Sequence, residues 1–461
     1  MMSYLITDWN PENSQFWESK GRKIARRNLW ISIFALLLAF AIWQVWSVTV
    51  LNLPKVGFKY SPNELFWLAA LPALSGATLR IFYSFMVPIF GGRKWTVIST
   101  ASLLIPALGI GFAVQDPTTS YTTMAILALL CGFGGGNFSS SMSNISFFFP
   151  KSEKGTALGL NAGLGNLGVS VVQLCVPIVM TMAVFGALGG EPQTIQQGDS
   201  TTQIWLQNAG FIWVPFIILS TVLAIFGMND LTCAKASFKD QSSIFKRSDN
   251  WLMCILYLGT FGSFIGYAAG FPLLIKTSFP DVDPVKYAFL GPLVGALARP
   301  IGGWLSDKIN SGAKITAFVY GCMVIVLFGV LYSMPTETST GNFTIFFICF
   351  MLLFALTGLG NGSTFAQVPT IFSKVHERLV AQGLEKAELK QQNVAKESAA
   401  VIGFISAIAA YGGFFIPKSF GTSHNMTGSY DAAFVGFIIF YAICFVLNWW
   451  FYTRSGAKSK C

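Results

Sequence analysis

Two arginines stand in the middle of stretches that are apolar for about the length of a membrane span. The segment GATLR ends at Arg80 and the matching segment GALAR ends at Arg299; a proline precedes each segment and a glycine pair follows it. Holding an arginine at the centre of a bilayer costs roughly 2.5–3.5 kcal/mol on insertion scales, so such residues normally face a bundle interior and mark an ion or substrate path. The alternative is that each arginine reaches to the membrane interface or pairs with a buried acid.

The acids are in the wrong places for such pairing. The 20 Asp and Glu residues are in loops, in tails or at the ends of the apolar stretches, and the two histidines, His376 and His424, lie in loops. Two arginines that face one low-dielectric cavity would repel by several kcal/mol at an effective dielectric constant of about 20. We therefore expect the cargo to be the counter-ion. A planar guanidinium best matches a small planar oxyanion, which accepts two parallel hydrogen bonds.

The composition is that of a polytopic membrane protein. The 461 residues are 53% hydrophobic and only 11% charged, whereas soluble domains carry about 25% charged residues. The net charge of +10 is spread over short loops and is not clustered into a nucleic-acid-binding face. The eight cysteines form no CxxC pair, and we interpret them as small buried hydrophobes. We expect no metal, no cofactor and no nucleic acid partner.

Twelve apolar stretches follow one another along the chain. When both termini are placed in the cytoplasm, 23 lysines and arginines fall in inside segments and 5 fall in outside loops, as the positive-inside rule predicts. The predicted stretches are 29–53, 64–90, 95–114, 121–149, 156–187, 208–229, 250–275, 286–305, 314–334, 343–372, 398–419 and 431–452.

The two halves of the chain repeat in parallel. Stretches 4 and 10 carry related glycine-rich motifs at residues 132–138 and 358–365. Two six-span halves in the same topology are the organisation of a major-facilitator transporter, whose substrate sits near the midplane between the halves. The pattern predicts a cytoplasmic tail, a six-helix bundle, a cytoplasmic linker, a second six-helix bundle and a second cytoplasmic tail. Their predicted bounds are 1–28, 29–229, 230–249, 250–452 and 453–461.

Two polar segments lie at the predicted cytoplasmic face. We expect the N-terminal tail to be solvated, with its basic GRKIARR motif as a topogenic charge cluster. A helix on the membrane surface over residues 16–30 is the alternative. The segment 374–397 is rich in Glu, Lys, Ala and Gln, which predicts a short, solvated cytoplasmic helix.

The fifth stretch is rich in glycine and asparagine. Gly159 and Gly163 form a GxxxG pair, which lets helices pack backbone to backbone, and a static packing seam is one reading of it. Gly165 and Gly168 add more glycine than packing needs, so we expect this helix to bend. Asn166 can donate from its amide to an anion.

Two longer motifs resemble the signatures of a known family. Residues 162–168, AGLGNLG, with the continuation to Pro177, resemble the nitrate signature on span 5 of the nitrate/nitrite porter family, and residues 406–417, SAIAAYGGFFIP, resemble its partner on span 11. The similarity runs over nearly the whole chain and is to bacterial NarK-type porters. It implies an all-α integral membrane protein of the major-facilitator fold, with 12 transmembrane helices in two six-helix halves, in the bacterial inner membrane.

The resemblance also implies a binding site. In that family the arginines of spans 2 and 8 clamp the anion, and they match Arg80 and Arg299. The other substrate-contacting positions match Asn166, Tyr257, Phe138, Phe261 and Phe40. We expect the glycines of the two signature spans to let these helices flex: Gly159, Gly163, Gly165, Gly168, Gly412 and Gly413.

We therefore expect a transporter that exchanges external nitrate for internal nitrite. An empty carrier would have to reorient with two buried positive charges, which is costly. Proton-coupled nitrate symport and carriage of another small anion are the alternatives. A nitrate sensor would need a signalling domain, and an enzyme would need a nucleotide loop, metal-spaced ligands or a nucleophile–base pair, which we do not find. We expect a monomer whose partners are nitrate, nitrite and the lipid bilayer.

Overall fold

The computed structural model describes residues 4–197, 200–234, 242–336, 338–457 and 459–461. Within these residues, twelve helices are long and apolar enough to cross a membrane, which confirms the predicted fold class and number of spans. We label them α1 to α12 in chain order. Their bounds are Ser14–Thr49, Pro62–Tyr83, Gly92–Ala113, Tyr121–Phe148, Glu153–Val179, Asn208–Gly227, Ser248–Ser278, Pro284–Ile309, Gly312–Ser333, Phe343–Ala381, Lys396–Thr427 and Asp431–Thr453.

Short strands and turns interrupt or connect these helices. The strands are β1 (Leu5–Ile6), β2 (Gln193–Gln197), β3 (Ser200–Ile204) and β4 (Asp230–Leu231). Strand β1 pairs in parallel with β4, and β2 pairs antiparallel with β3. Short 3₁₀ turns cover Pro54–Val56, Gly186–Gly189, Ser242–Lys246, Pro284–Lys286 and Ala387–Leu389. Wider π turns cover Trp17–Gly21, Leu258–Gly262 and Trp449–Thr453.

Polar side chains set where several spans begin. Ser61 and Glu64 form a capping box at the start of α2, and Pro62 occupies its first helical position. The side-chain oxygens of Ser311 and Asn342 cap α9 and α10. Each cap accepts a backbone N–H that the first turn of a helix leaves without an intrahelical partner.

The N-terminal segment is exposed over most of residues 4–20, but two tryptophans anchor it. Helix α1 already begins at Ser14, and the side chains of Trp9 and Trp17 are buried. The Trp9 indole N–H donates to the Phe147 carbonyl at 3.1 Å, and the Trp17 indole N–H donates to Glu153 Oε1 at 3.0 Å. Since an aromatic side chain of this size buries roughly 150–250 Å², two tryptophans outweigh the polar residues around them.

Residues 374–397 do not form the separate solvated helix that their composition predicts. Helix α10 continues to Ala381, and the helix Lys390–Ala410 contains the first part of α11. The good helix formers of this segment lengthen both spans and leave only a short turn between them. His376 and Glu397 are buried, and His376 Nε2 lies 2.6 Å from Glu397 Oε2.

The chain forms two compact units. The first contains the described parts of Met1–Lys235 together with Ala268–Phe289, and the second contains those of Ala236–Tyr267 together with Leu290–Cys461. Helix α7 therefore contributes residues to both units. The predicted boundaries of the tails, bundles and linker stay predictions, and residues 235–241 of the linker lie outside the described residues.

Hydrogen bonds explain why the second part of α7 belongs to the first unit. The Gln173 amide of α5 donates to the Ala268 carbonyl at 2.8 Å and to Ser47 Oγ of α1 at 3.0 Å. Ser170, also on α5, donates its hydroxyl to the Phe289 carbonyl at 2.9 Å. Helix α5 thus anchors both ends of the segment that follows Tyr267.

Candidate functional site

Three helices of the first unit cross closely beside Arg80. A Cβ atom added at Gly76 of α2 would lie 2.5 Å from Trp43 Nε1, and one added at Gly135 of α4 would lie 2.8 Å from the Gly76 Cα. Because neither position has room for a side chain, the glycine-rich motif of α4 permits backbone contact with α2. Trp43 of α1 completes the crossing by donating its indole N–H to the Pro72 carbonyl at 2.8 Å.

This crossing places a backbone carbonyl and the faces of Trp43 and Phe138 against Arg80. Arg80 is fully buried, and its Nε donates to the Gly135 carbonyl at 2.8 Å. The guanidinium carbon lies 4.9 Å from the ring centroid of Trp43 and 4.7 Å from that of Phe138. Phe40 packs edge-on against both rings, at centroid distances of 5.4 and 6.1 Å. Aromatic faces stabilise a desolvated cation by about 2 kcal/mol, so they fix the guanidinium while leaving its positive charge intact.

The second unit repeats the crossing with α8 and α10. A Cβ atom added at Gly358 of α10 would lie 2.1 Å from the Gly295 carbonyl oxygen, and one added at Gly362 would lie 2.2 Å from the Arg299 carbonyl oxygen. The glycine-rich motif of α10 therefore brings its backbone against the helix that carries the second arginine, as the motif of α4 does for the first.

Arg299 lies beside two aromatic rings. It is 7% exposed, its Nη2 donates to the Tyr257 hydroxyl oxygen at 3.3 Å, and its guanidinium carbon lies 5.0 Å from the Phe365 centroid. Tyr257 stacks on Phe365 at 4.6 Å and on Phe261 at 5.3 Å. Arg299 Nη1 is buried and has no hydrogen-bond partner among the described residues. Burying an unsatisfied donor costs roughly 1–3 kcal/mol, and more for a charged group, so this position favours an anion.

A π turn in α7 places Tyr257. The turn covers Leu258–Gly262 and begins directly after Tyr257. Gly262 lies against Gly412 of α11, where an added Cβ atom would be 2.3 Å from the Gly262 Cα. The wider turn leaves the rings of Tyr257 and Phe261 nearly parallel, at an interplanar angle of 7°. Such π turns are frequent at functional sites.

Asn166 of α5 is a buried amide that no described residue satisfies. It is 1% exposed, and neither its Nδ2 nor its Oδ1 has a hydrogen-bond partner within the described ranges. The neighbouring Asn161 differs, since its amide donates to Ser141 Oγ at 2.9 Å. Because an unsatisfied buried amide costs roughly 1–3 kcal/mol, Asn166 is chemically suited to bind a ligand.

The predicted flexing glycines fall into two groups. At Gly159 and Gly163 an added Cβ atom would meet no atom within 4 Å, so this face of α5 borders open space. At Gly168 it would lie 2.1 Å from the Leu37 carbonyl oxygen, so α5 and α1 are in backbone contact there. The other predicted positions are buried: Gly165, Gly412 and Gly413. Helix α5 therefore has an open face at Gly159 and Gly163 and a tightly packed contact with α1 at Gly168.

The site predicted from the sequence lacks Trp43 and Phe365, each of which faces an arginine. The internal repeat contains a signal for Phe365, which ends the glycine-rich motif of α10 as Phe138 ends that of α4. Trp43 has no such signal, because its role depends on how α1 packs against α2. Phe138 and Tyr257 contact the arginine of their own unit. Phe40 packs against Phe138, and Phe261 stacks on Tyr257. The contacts of these four residues with a substrate stay predictions.

Comparisons with known proteins agree with this architecture. The family model described as Major Facilitator Superfamily matches residues 29–384. The nitrate/nitrite transporter NarU of Escherichia coli (strain K12) is 50% identical over 457 residues, covering 99% of this chain and 98% of the relative. The probable nitrate/nitrite antiporter NarK2 of Thermus thermophilus is 43% identical over 461 residues, again covering 99% of this chain and 98% of the relative.

A solved structure shares the fold. It is the crystal structure of a bacterial homolog of the human lysosomal transporter Spinster, with a TM-score of 0.63 and 13% identity over 91% of this chain and 95% of that chain. The chain belongs to the Major Facilitator Superfamily and, within it, to the NarK-type nitrate/nitrite porter family. This confirms the expectation of a membrane transporter and not an enzyme.

Proposed function

We propose that this protein transports nitrate and nitrite across the bacterial inner membrane, with the anion bound by Arg80 and Arg299. Whole-chain similarity to proteins named nitrate/nitrite transporters supports the choice of substrate. The observation that carries the site is the burial of two guanidinium groups, each held against aromatic rings in its own unit. A planar guanidinium donates two parallel hydrogen bonds to a planar oxyanion, which suits both anions.

Other predicted residues take supporting roles in this proposal. Asn166 donates to the anion through an amide that no described residue satisfies. Tyr257 orients Arg299 through their 3.3 Å hydrogen bond. The apolar walls exclude water, which strengthens the hydrogen bonds of the anion because the local dielectric constant is low. These walls are Phe40, Phe138 and Phe261.

We propose exchange of nitrate for nitrite as the mode of transport. Without an anion the carrier would have to reorient with two buried positive charges, and each buried ion carries a desolvation penalty of several kcal/mol. A bound anion removes most of that penalty. The relative NarK2 is itself named a probable antiporter. The distribution of lysine and arginine supports cytoplasmic placement of both termini, and we propose that one chain is sufficient.

Labelled nitrate uptake into proteoliposomes tests this proposal. The vesicles are preloaded with nitrite, with nitrate or with neither, and each set is measured with and without an imposed proton gradient. We expect uptake only into vesicles that contain an internal anion, at a rate that the proton gradient does not change. Internal anion is required because a carrier with a bound anion can reorient without the desolvation penalty of two unpaired buried charges.

Two outcomes would contradict parts of the proposal. Uptake into vesicles without internal anion, driven by an inward proton gradient, would replace exchange by proton-coupled symport. A panel of unlabelled competitors tests the substrate: if another small anion suppressed nitrate uptake more strongly than nitrite does, the assignment of nitrate and nitrite would fail.

Replacing Tyr257 with phenylalanine is expected to raise the KM for nitrate by about 10- to 100-fold with little change in protein yield. The variant keeps the stacked ring but loses the charge-assisted hydrogen bond to Arg299, which is worth about 1.5–3 kcal/mol. Tyr332→Phe is the matched control, since Tyr332 is 82% exposed on α9. An unchanged KM in Tyr257→Phe would show that Tyr257 does not orient the arginine.

A further inference from the structure

A buried histidine lies between two carboxylates at the end of α10. His376 Nδ1 lies 2.6 Å from Glu385 Oε2 in hydrogen-bond geometry, and His376 Nε2 lies 2.6 Å from Glu397 Oε2 at a less favourable angle. The side chains are 5%, 8% and 6% exposed. Arg247 donates to the second oxygen of Glu397 at 2.9 Å, and Asn393 donates to the second oxygen of Glu385 at 2.7 Å. We call these five residues the His376 cluster.

The short contacts determine how many protons the cluster holds. An ionised carboxylate can only accept hydrogen bonds, and a neutral imidazole has one N–H and one lone pair. With both ring nitrogens of His376 only 2.6 Å from a carboxylate oxygen, a neutral ring would set one lone pair against another. This geometry therefore suits a cluster that holds one proton more than a neutral histidine with two carboxylates would.

The surroundings favour His376 as the carrier of this proton. Burial raises the pKa of Glu385, but the hydrogen bonds from His376 and Asn393 and the nearby charge of Arg247 outweigh burial and hold that pKa below its ordinary value. Glu397 is paired with Arg247. When His376 is charged, two positive and two negative side chains balance, whereas a neutral His376 leaves a net negative charge in a buried place, which is unfavourable.

Several other charged groups on the packed helices bond elsewhere, whereas the remaining charged side chains of these segments are Lys246, Lys386, Glu388 and Lys396. The pairs that bond elsewhere lie outside the His376 cluster. They are Glu377 with Lys390, Arg378 with Ser459, Lys374 with the Lys460 carbonyl, and Asp249 with the Tyr452 hydroxyl. Histidine is the side chain that ordinarily gains or loses a proton between about pH 5 and 8. His376 is therefore the residue of the cluster whose type suits a proton-binding role in that range.

We propose that the His376 cluster is a proton-binding site that ties three helices of the second unit together at the end where the C-terminus lies. His376 is on α10, Glu397 is at the start of α11, and Arg247 immediately precedes α7. The C-terminus lies at this end because Lys374 and Arg378 of α10 bind its last residues. Loss of the proton leaves the two carboxylates without their shared partner and loosens the junction.

The same three helices build the surroundings of Arg299. Tyr257 is on α7, Phe365 is on α10, and Gly412 of α11 meets the π turn that follows Tyr257. The pH on the C-terminal side of the membrane therefore regulates anion binding at Arg299. This regulatory part rests on the proposed function, whereas the proton-binding site does not.

Nitrogen NMR of the purified, full-length protein tests the proton-binding site without any transport assay. The chain has only two histidines, so the variant His424→Gln leaves His376 as the one imidazole, and ¹⁵N-labelled histidine reports its protonation directly. We expect both ring nitrogens to carry hydrogen at pH 7, since each lies 2.6 Å from a carboxylate oxygen. A singly protonated ring at pH 7 would overturn the proposal.

Exchange measured at fixed external pH, with the pH on the C-terminal side varied from 6.5 to 8.5, tests the regulation. We expect exchange by the unmodified protein to fall by about 5-fold or more over this range, the lower end of common coupling between sites. His376→Gln should flatten the profile, and Glu385→Gln should move the fall to lower pH. His424→Gln, at the other end of α11, should keep the original profile.

The two assays separate the ways in which the inference can fail. An equally steep profile in His376→Gln, or the same steepness when only the opposite side is titrated, would overturn regulation by the cluster. A protein without any exchange activity would overturn the proposed function, while the NMR result would still decide whether His376 binds the proton. If His376→Gln does not fold, Glu385→Gln and the NMR measurement keep the test intact.

Discussion

Replacing Arg299 with lysine is expected to lower the rate of nitrate exchange by about 100-fold in a protein that still folds. Lysine keeps the positive charge but loses the planar fork, the hydrogen bond to Tyr257 and the stack on Phe365. A charge-assisted hydrogen bond is worth about 1.5–3 kcal/mol, and 1.4 kcal/mol corresponds to tenfold in rate or affinity. Initial rates of labelled nitrate uptake into nitrite-loaded proteoliposomes measure the effect.

Arg454→Lys is the matched control for this prediction. Arg454 also stacks on an aromatic ring, 3.8 Å from the Trp450 centroid, but it lies near the C-terminus and away from the apolar core of a span. We expect it to exchange nitrate at the original rate, and Arg80→Lys to fall as far as Arg299→Lys because the two units repeat the same crossing. Retention of more than half the rate in Arg299→Lys would show that a point charge suffices. The anion would then not need two parallel hydrogen bonds from the guanidinium.

Gly168→Ala is expected to destabilise the protein by about 1–3 kcal/mol, as overpacking of a tight contact does. The new Cβ atom would lie 2.1 Å from the Leu37 carbonyl oxygen, and a backbone oxygen cannot move aside as a flexible side chain can. Gly163→Ala is the internal control on the same helix, since its Cβ atom meets nothing within 4 Å. Thermal unfolding of both purified variants in the same detergent measures the difference.

The comparison also separates packing from flexing. If Gly168→Ala and Gly163→Ala unfold at the same temperature, the backbone contact between α5 and α1 is not a source of stability. If Gly163→Ala keeps its Tm but loses exchange, the open glycine face is needed for movement and not for folding. Gly412→Ala should resemble Gly168→Ala, because its Cβ atom would lie 2.3 Å from the Gly262 Cα.

The membrane spans, the repeat and the two arginines can be predicted without coordinates. A helix needs about 20 mainly apolar residues to cross a bilayer, and that requirement is met or missed within one continuous stretch. A charge inside such a stretch is too costly to be incidental, so Arg80 and Arg299 already indicate an anion path. The two signature motifs also indicate the family, because each motif is a continuous stretch of the chain.

The neighbours of these residues could not be predicted in the same way, because they come from distant parts of the chain. Trp9 donates a hydrogen bond to the Phe147 carbonyl, and Glu397 is paired with Arg247, so two segments that look solvated by composition are held in place. A single polar segment carries no information about a partner more than a hundred residues away. Contact between backbones at glycine crossings places Trp43 beside Arg80, and only the packed helices bring those atoms together.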